Sequence, residues 1–257
     1  MGNTNKNGIL KSKFVWAKGE QETMNCNLVF STEIHAERKQ NIRVQISAFN
    51  LYKLYINGKL VTFGPARSAK GYFRVDKKNV RLQKGDNEIS VLVSAYNVAN
   101  FSYVKDKPFF AFACEIDKKV YTATDFKCFD LDYRVKNAQR YSYQRGFAEY
   151  YVQNEDFIEW LKKDKTELKT DSITPPKKLN RGVANPIIKQ VRAKCVRKGK
   201  VMINENAELW ENRSIYQVGN CFEGYFKDQL KECLTDTVSK FVFDAERKDA
   251  TYRLYDS

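Results

Sequence analysis

His35 is the single histidine in a chain of 257 residues. Any serine triad or Cys–His pair must therefore run through it, because a hydroxyl or thiol nucleophile needs a base within hydrogen-bond reach. It stands in "STEIHAERKQN", where a strand runs out into a polar turn, and this context predicts a surface side chain. Cys26, Cys114, Cys128, Cys195, Cys221 and Cys233 are widely and irregularly spaced. With no Cys-x-x-Cys pair and one histidine, they do not make the ligand set of a zinc site, and no metal or other cofactor is expected. Cys114 in "FFAFACEI" shares a strand face with Phe110, Phe112 and Ile116 and reads as a small buried hydrophobe. The chain has neither Gly-x-x-x-x-Gly-Lys-[Ser/Thr] nor Gly-x-Gly-x-x-Gly, the loops that cradle phosphate with backbone N–H groups.

A different chemistry is offered by the aromatic and basic residues around "LYINGKLVTFGPARSAKGYFRVD" (Leu54–Asp76). Sugars dock by their apolar faces on flat rings while a few charged or amide groups fix the hydroxyls. Trp16, Arg67, Tyr72, Phe73 and Arg74 are the candidates. The competing reading places Trp16, Tyr72 and Phe73 at one end of a sheet core, with Arg67 bracing a turn. Trp160 reads as a helix-to-sheet anchor, Trp210 as strand core or interface, and Arg145 with Glu149 as a structural ion pair.

Charge narrows the partners. Lys and Arg number 45 against 31 Asp and Glu, a net charge of +14, which invites an anionic partner. The bases are spread along the chain, however, and the densest stretch, "KQVRAKCVRKGK" (Lys189–Lys200), alternates with Val191, Ala193 and Cys195 as a strand with one wet face does. A solvated basic face is thus preferred to a basic nucleic-acid-binding β protein, and no nucleic acid is expected as partner. No apolar run has the length of a signal peptide or membrane helix. A cytoplasmic chain with no membrane partner is expected.

These residues must be carried by strands. Aromatics make up 14% of the chain, with 17 Phe and 15 Tyr against 12 Gly, and they favour the pleated surface of a sheet. "NIRVQISAFN" puts Ile42, Val44, Ile46 and Ala48 on one face and Arg43, Gln45 and Ser47 on the other. After "LYKLYI", Asn57-Gly58 supplies the two positive-φ residues of a type I′ hairpin, and Gly64-Pro65 ends the strand that follows. Gly85-Asp86-Asn87 precedes Ile89, Val91 and Val93, and "KPFFAFACEID", "KVYTATDFKCF" and "DLDYRV" keep the same short rhythm of strand and turn, which is that of a sandwich or jelly roll.

A short helix is predicted in "QNEDFIEWLKKD", capped by Asn154, with acidic residues in its first turn, Lys162 and Lys163 in its last, and Phe157, Trp160 and Leu161 on one face. "KTDSITPPKKLNRGVANP" has the composition of a linker or an extended crossing strand. The expected domains are therefore 1–170, an N-terminal sandwich, and 171–257, a linker and a second β-rich unit. In that second unit "PIIKQVRAKCV", "KVMIN", "KFVFDAE" and "TYRLYD" are strand-like, and "GNCFEGYFKDQLKECL" suggests a short helix. The last strand-like run meets the end of the chain without a terminal turn, so the second sandwich is expected to be incomplete.

The order of "FVWAKGE", "YKLYINGKLVTFGPARSAKGYFRVD", "LQKGDNEISVLV", "QRYSYQRGFAEYY" and "ATYRLYD" resembles the non-catalytic N-terminal region of bacterial α-L-rhamnosidases, a family of inverting glycoside hydrolases. The resemblance implies an all-β, jelly-roll, galactose-binding-like sandwich. It implies an accessory region that scaffolds a helical catalytic barrel of the same parent protein and contacts rhamnose-containing oligosaccharides. A truncated piece, a split gene product and a free-standing carbohydrate-binding module all fit it. The acid and base of inverting hydrolysis stand about 6.5–9.5 Å apart, and the family's pair belongs to the barrel. No catalytic residue is carried over, and the chain by itself is expected not to be an enzyme.

Overall fold

A computed structural model describes residues 8–134, 136, 147, 157–188, 194–202 and 249–256. The chain divides into two compact units. One comprises Met1–Asn97, Tyr103–Leu131 and Asn154–Ile188, the other Val98–Ser102, Asp132–Gln153 and Lys189–Ser257.

The first unit is a sandwich of two antiparallel sheets. One sheet joins β1 (Phe14–Ala17), β3 (Gln40–Ala48), β7 (Asp76–Leu82), β9 (Phe110–Ile116), β10 (Lys119–Thr122) and β12 (Thr170–Ile173) in the order β12-β1-β9-β3-β7, with β10 also on β9. The other joins β2 (Cys26–Ala36), β4 (Leu51–Ile56), β5 (Lys59–Gly64), β8 (Gly85–Ala95) and β11 (Lys127–Asp130) in the order β11-β2-β8-β4-β5. The chain passes repeatedly from one sheet to the other, the wrapping of a jelly roll.

Alternation explains which side faces in. In β3, Ile42, Val44 and Ile46 are buried, as are Phe110, Phe112, Cys114 and Ile116 in β9. Opposite them, β2 presents Cys26, Leu28 and Phe30, and β8 presents Ile89, Val91 and Val93. The rings of Phe30 and Phe110 stack across the gap with centroids 4.3 Å apart, and Phe126 packs on both Phe110 (5.3 Å) and Phe112 (4.8 Å). Such ring pairs add stabilisation beyond the area they bury.

The Asn-Gly hairpin forms as its sequence requires: Asn57 and Gly58 have φ of 49° and 73°, and Ile56 pairs with Lys59. Asn57 Nδ2 donates to Asn87 Oδ1 at 3.0 Å, and Asn87 returns hydrogen bonds to Gln83 O and Gly85 O, both at 2.9 Å. The turn that opens β8 is thereby tied to the hairpin. The helix α1 spans Phe157–Leu161, and its expected cap at Asn154 lies outside the described residues. Trp160 is buried, Phe157 meets Tyr55 at 4.6 Å, and Lys165 Nζ donates to the carbonyls of Trp160, Leu161 and Lys163 while lying 4.8 Å over the Trp160 ring. A cation at the C-terminal carbonyls opposes the helix dipole.

Two sequence expectations need revision. The boundary near Asp171 falls inside β12, which pairs with β1 from Phe14↔Ile173 to Ala17↔Thr170, and the first unit continues to Ile188. Of the two readings of this polar stretch, linker or extended crossing strand, its first part is a strand held by backbone bonds to β1. "DLDYRV" does not continue the strand rhythm, since β11 ends at Asp130 and Asp132-Tyr133 form a turn. In the second unit, β14 (Lys194–Met202) and β15 (Asp249–Asp256) form an antiparallel pair. The expected strand at "KFVFDAE", the helix in 219–234, Trp210 and the Arg145–Glu149 pair lie outside the described residues. Among the described residues no helix is long and apolar enough to cross a membrane.

Burial pushes the thiols of Cys114 and Cys128 up to about 12, with the nearby charges of Asp125 and Asp130 adding to the rise. As pH rises the unfolded thiols lose their protons first, so these groups withdraw stability from about pH 9 upward. We expect the urea midpoint to fall between pH 8 and pH 10.5, and the fall to be shallower in a Cys114→Ala/Cys128→Ala variant.

Candidate functional site

Of the five candidates, Tyr72, Phe73 and Arg74 form one short strand, Arg67 lies in the loop before it, and Trp16 lies apart on β1. Trp16 lies on the inward face of β1 at 0% exposure, its indole N–H donating to Glu20 O at 3.0 Å. Phe73, in the short strand β6 (Tyr72–Arg74), is 1% exposed and wedged edge-on against Phe14 (5.0 Å) and Phe109 (5.8 Å). Both rings have their faces occupied by protein. This corrects their assignment as sugar platforms: period-two alternation places them inward, and the core takes the surface a sugar would need.

Tyr72, by contrast, is 39% exposed, and Arg67 is exposed in the preceding loop. That loop is shaped by Ser68 Oγ donating to Tyr72 O (2.8 Å) and by Gly71 N donating to Asp106 Oδ2 (2.6 Å). The carboxylate of Asp106 thus joins two loops that are remote in sequence. Tyr103 is nearby, its hydroxyl pushed up to about 12 by burial and by Tyr96, with the charge of Arg67 opposing the rise.

Arg74 is half-buried and serves the fold. Its Nε donates to Arg67 O at 2.9 Å, and its Nη1 to the carbonyls of Asn180 and Arg181, the latter at 2.8 Å. Those carbonyls follow β13 (Lys177–Leu179), which pairs in parallel with β6.

Sequence reasoning missed the most deeply held ionic group at this end. Asp76 is 2% exposed, accepts from Tyr52 Oη at 2.5 Å and pairs with the Arg181 guanidinium. Tyr52 is held well above the ordinary phenol range by burial, then by the Asp76 charge and hydrogen bond, with Arg181 pulling the other way. Gly64 closes the pocket around the carboxylate, because a Cβ there would overlap Asp76 Oδ2 and come within 3.0 Å of the Tyr52 ring and hydroxyl. The Gly64–Pro65 bond is cis. One signal for this group was present in the text: Asp76 begins β7 in the phase of Val80 and Leu82, an acid on the buried side.

His35 sits near the end of β2, exposed, with Nδ1 2.5 Å from Asp86 Oδ1 in the cross-strand register. No serine or cysteine nucleophile is hydrogen-bonded to it among the described contacts, and an exposed pair of this kind contributes about 0–1 kcal/mol.

The chain matches no family model, and no curated protein sequence matches it. Its fold matches solved structures. A GH78 family rhamnosidase of Bacillus sp. GL1 superposes with a TM-score of 0.61 at 20% identity, over 78% of this chain and 22% of that one. An α-L-rhamnosidase from Dictyoglomus thermophilum gives a TM-score of 0.46 at 16% identity, over 76% and 24%. A lectin from Pleurotus ostreatus, solved with GalNAc, gives 0.43 at 12% identity, over 69% and 50%. This protein has the all-β sandwich fold found in part of the Bacillus rhamnosidase. The chain spans about 22% of that enzyme's length, and the fold resemblance to rhamnosidases anticipated from the motif order is met.

Gly64→Ala is expected to cost about 1–3 kcal/mol through overpacking at Asp76. Tyr52→Phe is expected to cost about 1–3 kcal/mol by leaving a buried carboxylate oxygen short of a donor. Tyr72→Ala should stay within about 0.5 kcal/mol of wild type, as changes at exposed positions usually do. Urea unfolding of the three variants measures all of these.

Proposed function

We propose that this chain is a non-catalytic accessory region of the α-L-rhamnosidase type, which scaffolds a catalytic domain and contacts rhamnose-containing glycans through the loops around Tyr72. The observation that carries the reading is the fold match, over 78% of this chain but 22% of a GH78 rhamnosidase. The chemistry of the sandwich supports it. Inverting hydrolysis calls for two carboxyls about 6.5–9.5 Å apart, one of them an acid and one a base able to activate water. The buried carboxylate at this end, Asp76, is already committed to Tyr52 and Arg181 and is unavailable as a base.

A free-standing carbohydrate-binding module is the second reading, favoured by the exposure of Tyr72 and of Arg67 in the loop before it. In either case Tyr72 and Arg67 are the proposed contact residues, and Arg74 holds the Arg67 carbonyl.

Incubated with an aryl α-L-rhamnoside, the purified chain is expected to release no product above the uncatalysed rate, and sustained turnover would overturn the accessory reading. In calorimetric titration with rhamnose-containing oligosaccharides, measurable heat lost in Tyr72→Ala is expected. A flat titration across such a panel would remove the glycan contact from both readings and leave scaffolding alone.

A further inference from the structure

From Thr170 to Ile188 no residue is buried, although this stretch belongs to the first unit. Its second half is held by polar bonds. Lys177 N donates to Gly71 O at 2.8 Å, β13 lies parallel on β6 through Lys177↔Tyr72, Lys178↔Phe73 and Leu179↔Arg74, and Arg74 grips the carbonyls of Asn180 and Arg181. Ile173, at the end of β12, packs against the core, and beyond it Arg181, 15% exposed, reaches inward to pair with Asp76. Gly182, at φ +73°, turns the chain so that Arg181 Nε also donates to Val183 O and Ala184 O, each at 3.2 Å. The segment therefore wraps its own guanidinium and presents it to a prepared carboxylate.

We infer that Lys177–Ala184 is a latch that leaves the sandwich as one unit, with Arg181 as its pin and the Asp76–Tyr52 pair as its socket. A segment without buried apolar side chains opens at a free energy well below that of the core. The buried ion pair makes the closed state specific, because a carboxylate left in the interior without its partner is strongly disfavoured. Opening frees the 15 residues from Thr174 to Ile188, a tether of up to about 50 Å at the extended rise per residue. It also releases Arg74, whose Nε holds Arg67 O, so the loop carrying Arg67 and Tyr72 loosens with the latch. This goes beyond the accessory reading and does not depend on glycan binding.

Hydrogen exchange by mass spectrometry on the full chain, at urea concentrations below the global transition, tests it. In the wild type, amides of 177–184 are expected to exchange through an opening distinct from that of β2 and β8. Arg181→Gln should accelerate them about tenfold while β2 and β8 keep their protection. Gly182→Ala strains the turn after the pin without touching Asp76 or Arg181, and should raise exchange in the same peptides. The neutral pair Asp76→Asn/Arg181→Gln covers the case in which a lone buried carboxylate prevents folding, and is expected to give a folded core with a loosened latch. A single urea dependence shared by latch and core would overturn the inference, as would latch exchange unchanged in all three variants.

Discussion

Two sheets hold together here because the rings of one interdigitate with the rings of the other. Phe30 stacked on Phe110, with Trp16 at one side and Phe126 bridging Phe110 and Phe112, forms a continuous aromatic layer between β2 and β9. Fully burying side chains of this size contributes about 1.5–3 kcal/mol each, and interiors at close packing tolerate little change in volume. The layer is the reason that β9 is apolar on its inward side from Phe110 to Ile116, and Cys114 and Cys128 are buried in the same core. The loops at the sandwich end are positioned relative to this layer.

At that end the physics changes from apolar to ionic. Asp76 is a charge in a place where charges are costly, and the surroundings answer it with a phenol, a guanidinium and a glycine that leaves room for it. The same residues help hold the parallel pairing of β6 and β13, in which Phe73 anchors β6 to the core while Arg74 satisfies carbonyls after β13 and Arg181 the carboxylate of Asp76. Basic residues that suggest ligand binding in the sequence are, at Arg74, structural donors. Arg67 and Tyr72 are exposed.

Fold likeness and function stand on different footings. A sandwich of this kind can host many activities, so the scaffold alone does not name one. What it does supply is a frame that carries loops 65–72 and 103–109, linked through Gly71 and Asp106.

Strand alternation, the Asn57-Gly58 turn, the inward Cys114 and the helix at Phe157–Leu161 followed from the residues themselves, because they depend on local periods and on φ preferences that a few neighbouring side chains settle. The all-β class followed with them. Burial of Trp16 and Phe73, the Asp76–Tyr52–Arg181 cluster, the pairing of Thr170–Ile173 with β1 and that of Lys177–Leu179 with β6 were decided by tertiary contact. Tyr52 and Arg181 are 129 positions apart in the chain, and no local pattern brings them together. Whether an aromatic ring serves a core or a ligand, and whether an arginine pins a strap or faces solvent, depends on what lies across the gap, which only the folded chain defines.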